Sequence, residues 1–382
     1  MYSIYDYGTM IADSGRMDAY VQAVKQAVKP GDVVLDIGTG TGIFALIAAQ
    51  LGAKQVYAIE TNSAIAVAQQ VATINGYGDK IQFIQDLSTK ITLPEPADVI
   101  ISDLRGVVPL HCHHIPSIID ARTRLLAPDG VLIPQQDTIW AAIVNAPELH
   151  RGYVAPWNER PYGFKMESVL SWSTNTWSKA RVTPKQLITE PQVWTVLNYQ
   201  TITDVNVAAT LEWSVTEASM AHGIALWFDA VIAEGISFSN APGKPDIIYG
   251  QAFFPWSNAV ELVAGDRIQV TIKANLVNED YIWNWHTKIF DVNSPQNLKA
   301  NFKQSTFLGN PLPPSLLRKQ GDDYLPMINQ EGKFVQTVLQ LMMENKTLGE
   351  IADNLVVSFP DCFNNQKEAL NKVVEISQMY SN

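Results

Sequence analysis

The sequence is poor in cysteine, in basic charge and in long apolar runs. Cys112 and Cys362 are the only cysteines in 382 residues, and they lie far apart. Neither a disulfide framework nor a cysteine-built zinc cluster is expected, and the usage fits a reducing, cytoplasmic location. Lysine and arginine number 27 against 38 acidic residues, for a net charge of −11. That argues against nucleic acid as a partner, because phosphate binding needs a basic patch. A cationic or neutral peptide suits such a surface, as does plain solubility. No uninterrupted apolar run reaches membrane-spanning length, so no membrane partner is expected. The opening MYSIYDYGTM has neither the basic region nor the apolar core of a signal peptide.

What is present is a large apolar fraction, 47%, in a chain long enough for two or three domains. Three blocks are expected. Residues 1–137 alternate strand and helix patterns, as a doubly wound α/β domain does. Helices are predicted over 17–29, 42–52 and 64–75, and strands over 33–38, 55–60, 80–85, 98–103 and 130–135. Residues 138–309 are β-rich and aromatic, with turns rich in Gly, Pro and Asn, and predict an antiparallel β-barrel. NPLPPS at 310–315 reads as a linker. Residues 316–382 read as a small, mostly helical module.

The densest chemical signal is VVLDIGTGTGIFALIAA, residues 33–49. A buried strand reaches Asp36, a loop follows through Gly38, Thr39, Gly40, Thr41 and Gly42, and a helix opens. Glycines there admit positive φ and let a ligand approach the backbone, and the helix start offers unpaired N–H groups. The spacing is too short for a dinucleotide fingerprint. Glu60 ends the next strand, where a carboxylate can take the hydroxyls of a ribose. This combination favours a nucleoside-bearing cofactor.

The segment through Glu60 resembles the first two strands of class I S-adenosylmethionine methyltransferases, and more narrowly the protein arginine methyltransferases. Met10, Asp13 and Arg16 match that family's M-x-x-D-x-x-R. The resemblance extends over residues 2–302, through LLAPDGVLIPQ (125–135), Trp157, Tyr162-Gly163-Phe164 and Pro184-Lys185-Gln186-Leu187. It implies that Met10, Arg16, Asp36, Gly38, Thr39, Gly40, Gly42, Glu60, Asp86 and Leu87 surround S-adenosyl-L-methionine. Arg16 would face the methionyl carboxylate, Glu60 the ribose, and Asp86 with Leu87 the adenine. It also implies a homodimer formed through an arm near 157–187, whose apolar residues a lone barrel would expose. Little chain precedes Tyr5, so the family's cofactor lid is expected to be short or missing.

The acceptor pattern departs from the family, which clamps a guanidinium between two glutamates nine residues apart. Here Asp103 stands at the first position and Cys112 at the second. The threonine-histidine-tryptophan motif is replaced around Ile248-Tyr249-Gly250-Gln251, with Ile248 in place of the histidine. The candidate catalytic residues are therefore Asp103, Arg105, His111 and Tyr249. Arg105 either binds a substrate carboxylate or pairs with Asp103. His111, His113 and His114 could include a general base or resemble a metal cluster. No carboxylate pair sits at ligand spacing nearby, so no metal is expected. Tyr249 either offers its hydroxyl or π face to the acceptor or packs in the core. The expected substrate is a peptide or protein side chain other than standard arginine; an atypical arginine methyltransferase and a non-catalytic scaffold are the alternatives.

In the third block, Phe334, Val338, Leu341 and Met342 form one helical stripe, and Thr347-x-x-Glu350 is a capping box. A last helix carries Ala369, Leu370, Val373, Val374 and Ile376. With a β-like stretch before them and the turn Asn345–Ala352, these resemble the winged-helix peptide-binding domains of ribosomal-peptide modification systems. The resemblance implies a free strand edge near Tyr324–Ile328; a helical cap is the plainer reading.

Overall fold

The computed structural model describes residues 2–381 and divides the chain into two compact units, Met1–Pro311 and Leu312–Asn382. The first unit opens with helices α1 (Ile4–Ala12) and α2 (Ser14–Ala27). Then come β1 (Val33–Ile37), α3 (Ile43–Gln50), β2 (Gln55–Ile59), α4 (Ile65–Ile74), β3 (Ile81–Ile84), β4 (Ala97–Ser102), α5 (His114–Arg124) and β5 (Leu126–Ile133). The five strands form one parallel sheet in the order β3-β2-β1-β4-β5. The order reverses direction between β1 and β4, which opens a crevice at the carboxyl ends of those strands. All five residues of β1 are buried. A parallel sheet covered on both faces needs such continuous apolar strands, and each fully buried Leu or Ile contributes about 1.5–3 kcal/mol.

Helix α1 is short, at nine residues. Ser3 and Asp6 form a capping box that starts it, and Asp13 caps α2 by accepting the Arg16 N–H at 3.4 Å. The nine residues of α1 bring Tyr7 against Gly40: a Cβ added to that glycine would lie 2.6 Å from the Tyr7 ring.

The chain continues through β6 (Gln136–Val144), α6 (Pro147–Asn158), α7 (Leu170–Ser173), β7 (Ser178–Ala180), β8 (Gln192–Asn198), β9 (Val207–Ser214), β10 (Ser219–Ala233), β11 (Ile236–Ser239), β12 (Gln251–Leu262), β13 (Arg267–Val277), β14 (Asp280–Asp291) and β15 (Ser294–Ser305). These strands make two antiparallel sheets, β7-β12-β10-β6-β8, with β11 on β10, and β15-β14-β13-β9. Trp256, Trp283, Trp285 and Phe254 are fully buried among them. One hydrophobic core runs from the parallel sheet into both antiparallel ones. The segment 157–187 instead leaves Tyr162, Phe164 and Trp172 exposed.

The second unit contains a short helix α8 (Pro314–Arg318) and three longer ones, α9 (Gln330–Met343), α10 (Leu348–Ser358) and α11 (Gln366–Tyr380). Phe334, Val338, Ile351, Leu355, Val373 and Ile376 form its own core, and the Thr347/Glu350 capping box is made as expected. Its described residues contain no strand, which corrects the expected β-like segment. Tyr324–Ile328 therefore presents no strand edge that a peptide could extend. No described helix is long and apolar enough to cross a membrane.

Candidate active site

The cofactor loop is built locally. Asp36, at the end of β1, accepts the Thr39 hydroxyl at 2.6 Å and the Ala45 N–H at 3.2 Å, tying the loop to the first turn of α3. Burial pushes the Asp36 carboxyl up to about 7, and these two bonds oppose that rise. Gly38, Gly40 and Gly42 all have positive φ. Gly38 has φ of 75°, which glycine adopts without strain, and a Cβ there would also press on the tip of the Leu104 side chain, 2.5 Å away. Glu60 accepts from the Gly40 N–H at 3.0 Å and the Asn62 N–H at 2.8 Å. Its two oxygens keep lone pairs for further donors. Burial and then Glu60 push the neighbouring Tyr7 phenol up to about 12. Asp86 and Leu87 lie exposed beyond β3, with Leu87 N–H donating to Asp86 at 2.7 Å.

Arg16 is buried, donates to the Met10 carbonyl at 2.7 Å and forms an ion pair with Asp103. Its Nε has no hydrogen-bond partner among the described residues. A buried, unsatisfied guanidinium donor is costly and suits an anionic ligand. Together with the glycine cradle and Glu60, it fits the carboxylate, backbone and ribose of S-adenosylmethionine.

Asp103 lies just beyond β4 and is surrounded. Besides Arg16, it accepts from Arg105 Nη1 at 3.1 Å and from the Tyr249 hydroxyl at 2.7 Å. Burial alone would raise its pKa, but Arg16 and Arg105 hold it below the usual carboxylate range. Tyr249 is buried and stacked on Phe238, with its pKa pushed well up by burial and by Asp103. It is a neutral donor to Asp103.

Arg105 is buried and pairs with a partner that the sequence reading missed. Its Nε and Nη2 reach the two oxygens of Asp137 at 2.7 and 3.0 Å, in a bidentate fork. Nη1 also donates to the Tyr20 hydroxyl, and the guanidinium lies 5.7–5.9 Å from the rings of Tyr20, Phe228 and Phe238. Of its two sequence readings, the ion pair is what the structure displays, and every arm of the guanidinium is engaged inside the protein. Asp137 also accepts from Tyr199, whose hydroxyl meets His114 Nε2 at 3.0 Å. Burial and then Arg105 push His114 down to about 3, so this histidine is neutral at physiological pH, with one ring nitrogen protonated and the other free to accept.

The remaining histidines sit at the surface end of the loop. His113 lies 3.0 Å from the Asn278 carbonyl and 3.5 Å from Glu279. His111 lies beside Cys112, whose N–H donates to Asp280 at 3.1 Å. Burial, then Asp280 and Glu279, push the Cys112 thiol up. The β13–β14 turn thus meets the acceptor loop and supplies a carboxylate that local sequence spacing did not reveal. Ile248, which replaces the motif histidine, donates its backbone N–H to Asp13 at 2.7 Å.

Residues 18–145 match the family described as ribosomal protein L11 methyltransferase (PrmA), and residues 135–289 match the arginine methyltransferase oligomerization subdomain. The chain is arginine methyltransferase-like. It is 29% identical over 245 residues to the probable protein arginine N-methyltransferase 6 of Arabidopsis thaliana, covering 62% of this chain and 55% of that protein. The match thus spans about half of that relative. The protein arginine N-methyltransferase PRMT10 of the same plant is 27% identical over 316 residues, covering 73% of this chain and 82% of that protein. The crystal structure of Arabidopsis protein arginine methyltransferase 10, described as uniquely open, superposes with a TM-score of 0.68 at 26% identity, covering 79% of this chain and 97% of that one. The Trypanosoma brucei PRMT1 enzyme–prozyme heterotetramer with AdoHcy has a TM-score of 0.70 at 21% identity, covering 78% and 96%, and supports the fold alone. The arginine methyltransferase-like fold accounts for the parallel sheet followed by antiparallel ones.

Proposed function

We propose that this chain is an S-adenosylmethionine-dependent methyltransferase acting on a peptide or protein side chain other than arginine. The observation that carries the acceptor reading is the state of Asp103. This carboxylate, at the first clamp position, already accepts from Arg16, Arg105 and Tyr249. Its two oxygens offer about four acceptor sites, and internal donors occupy most of them. The second clamp position is Cys112. A guanidinium would find no pair of free carboxylates here.

The cofactor supplies a methyl group on an activated sulfonium. Arg16 would engage its carboxylate and Glu60 its ribose, while the loop at 38–42 lets the backbone close around it. The protein must then align the acceptor in line with the bond being broken and exclude water. Arg16, Arg105 and Tyr249 hold Asp103 ionised at that end of the crevice. Its charge can orient a polar or cationic acceptor without enclosing it from two sides.

Arginine-containing peptides are expected to be methylated far below the rate of about 1 per second at the low end of ordinary enzymes. Mass spectrometry of peptides after incubation with cofactor checks this, with cofactor binding measured in parallel. Turnover on arginine at 1 per second or faster would establish the arginine reading that the relatives' names favour. Absent cofactor binding would instead favour the scaffold.

A homodimer through the 157–187 arm is part of the same proposal. Its support is the match to the oligomerization subdomain and the exposed Tyr162, Phe164 and Trp172. Light scattering should give twice the 42.3 kDa chain mass. A single-chain mass at all concentrations would refute it.

A further inference from the structure

His111, Cys112 and Asp280 come together from loop segments 168 residues apart. An imidazole nitrogen, a thiol sulfur and a carboxylate oxygen lie within 4.8 Å of one another. We propose that these three residues bind a divalent transition metal of the zinc class.

The donor set is the first reason. Thiolate with imidazole selects borderline metals, whereas calcium and magnesium take oxygen ligands. Spacing is the second. Tetrahedral zinc, with bonds of about 2.3 Å to sulfur and 2.0–2.1 Å to nitrogen, sets those two ligands about 3.6 Å apart. The Cys112 sulfur lies 3.5 Å from His111 Nε2, which matches that separation. It lies 3.7 Å from Nδ1 as well, so the imidazole must turn about its side-chain bonds to aim one nitrogen's in-plane lone pair at the metal.

The backbone is arranged around the same point. Cys112 has φ of 41°, in the left-handed region that a non-glycine residue occupies at a cost. Its N–H is held by Asp280 Oδ1, which also accepts the Tyr281 N–H at 2.8 Å. Asp280 Oδ2 has no hydrogen-bond partner among the described residues. The His111 ring lies on Gly106, where a Cβ would come within 2.8 Å of it. Glycine at 106 therefore lets the imidazole settle onto the loop. His113 turns instead toward Asn278 and Glu279.

Three protein ligands leave a fourth position for water or for a donor on a substrate, as in catalytic rather than structural zinc sites. A metal here would fasten the acceptor loop to the β13–β14 turn at the position where the family places its second glutamate. Only this last consequence rests on the acceptor reading; the metal site itself does not.

The test is titration of the chelator-treated full chain with cobalt(II), followed by displacement with zinc(II). The expected result is one equivalent bound, with the intense thiolate-to-cobalt charge-transfer absorption and visible bands of tetrahedral cobalt. Cys112→Ser should remove the charge-transfer band, while Cys362→Ser should leave it. His111→Ala and Asp280→Asn should each weaken cobalt affinity by at least about tenfold, the lower end of what disturbing a ligand's support costs. S-adenosylmethionine binding serves as the folding control for each variant. No charge-transfer band in the wild-type chain, or full affinity in Asp280→Asn, overturns the site. Because metal binding is read without methyl transfer, failure here is distinct from failure of the proposed activity.

Discussion

Replacing Arg105 with Met is expected to cost the first unit about 3–5 kcal/mol of stability. The guanidinium is buried with a bidentate partner, Asp137, that is itself fully buried. Removing the cation leaves that carboxylate dehydrated, with Tyr199 as its remaining side-chain donor. Mutual attraction of the pair only offsets the cost of burying it, so removing both charges should be far milder than removing one. The double variant Arg105→Met with Asp137→Leu should recover most of the loss. Denaturant unfolding followed by tryptophan fluorescence measures this cleanly, because all ten tryptophans lie before residue 312. A single variant within 0.5 kcal/mol of wild type would mean that Arg105 is not held as described.

Replacing Arg16 with Met should weaken S-adenosylmethionine binding by about a hundredfold or more, near 3 kcal/mol. Hydrogen bonds to a charged group contribute roughly 1.5–3 kcal/mol each, and Arg16 is the cation expected to face the cofactor carboxylate. Its removal also takes from Asp103 one of two flanking cations. Lysine should rescue poorly, since it keeps the charge but loses the planar fork. Glu60→Ala removes the carboxylate proposed to hold the ribose and should cost less, about 1–3 kcal/mol. Isothermal titration compares the variants directly. Binding within threefold of wild type in Arg16→Met would show that the cofactor sits elsewhere.

The parts of this molecule that were legible from sequence are the locally encoded ones. The cofactor loop lies between consecutive strands, and its signal is contiguous from Val33 to Glu60. The apolar strands of the parallel sheet announce themselves because both faces are covered. The proposed acceptor site depends instead on groups brought in from afar. Asp137 reaches Arg105 from β6, and Asp280 reaches Cys112 from the start of β14. Neither pairing leaves a spacing signature. The C-terminal misreading has a different cause. Leu325 and Met327 alternate as strand residues do, but a strand is stable only with partners, and the described residues of that unit provide none. Pro326 and Gly321 also favour irregular backbone there.

The β13–β14 turn has a consequence for how such a protein can change. Val277 pairs with Asp280, so the connection is the two residues Asn278 and Glu279. Asn278 in that turn meets His113, and Asp280, which follows it, meets Cys112. An insertion or a change of turn residue there would move one wall of the acceptor loop while leaving Arg16, the glycine loop and Glu60 untouched. On the proposed acceptor site, acceptor preference and cofactor binding are separately adjustable, and a library confined to two positions at a hairpin tip should redirect one without forfeiting the other.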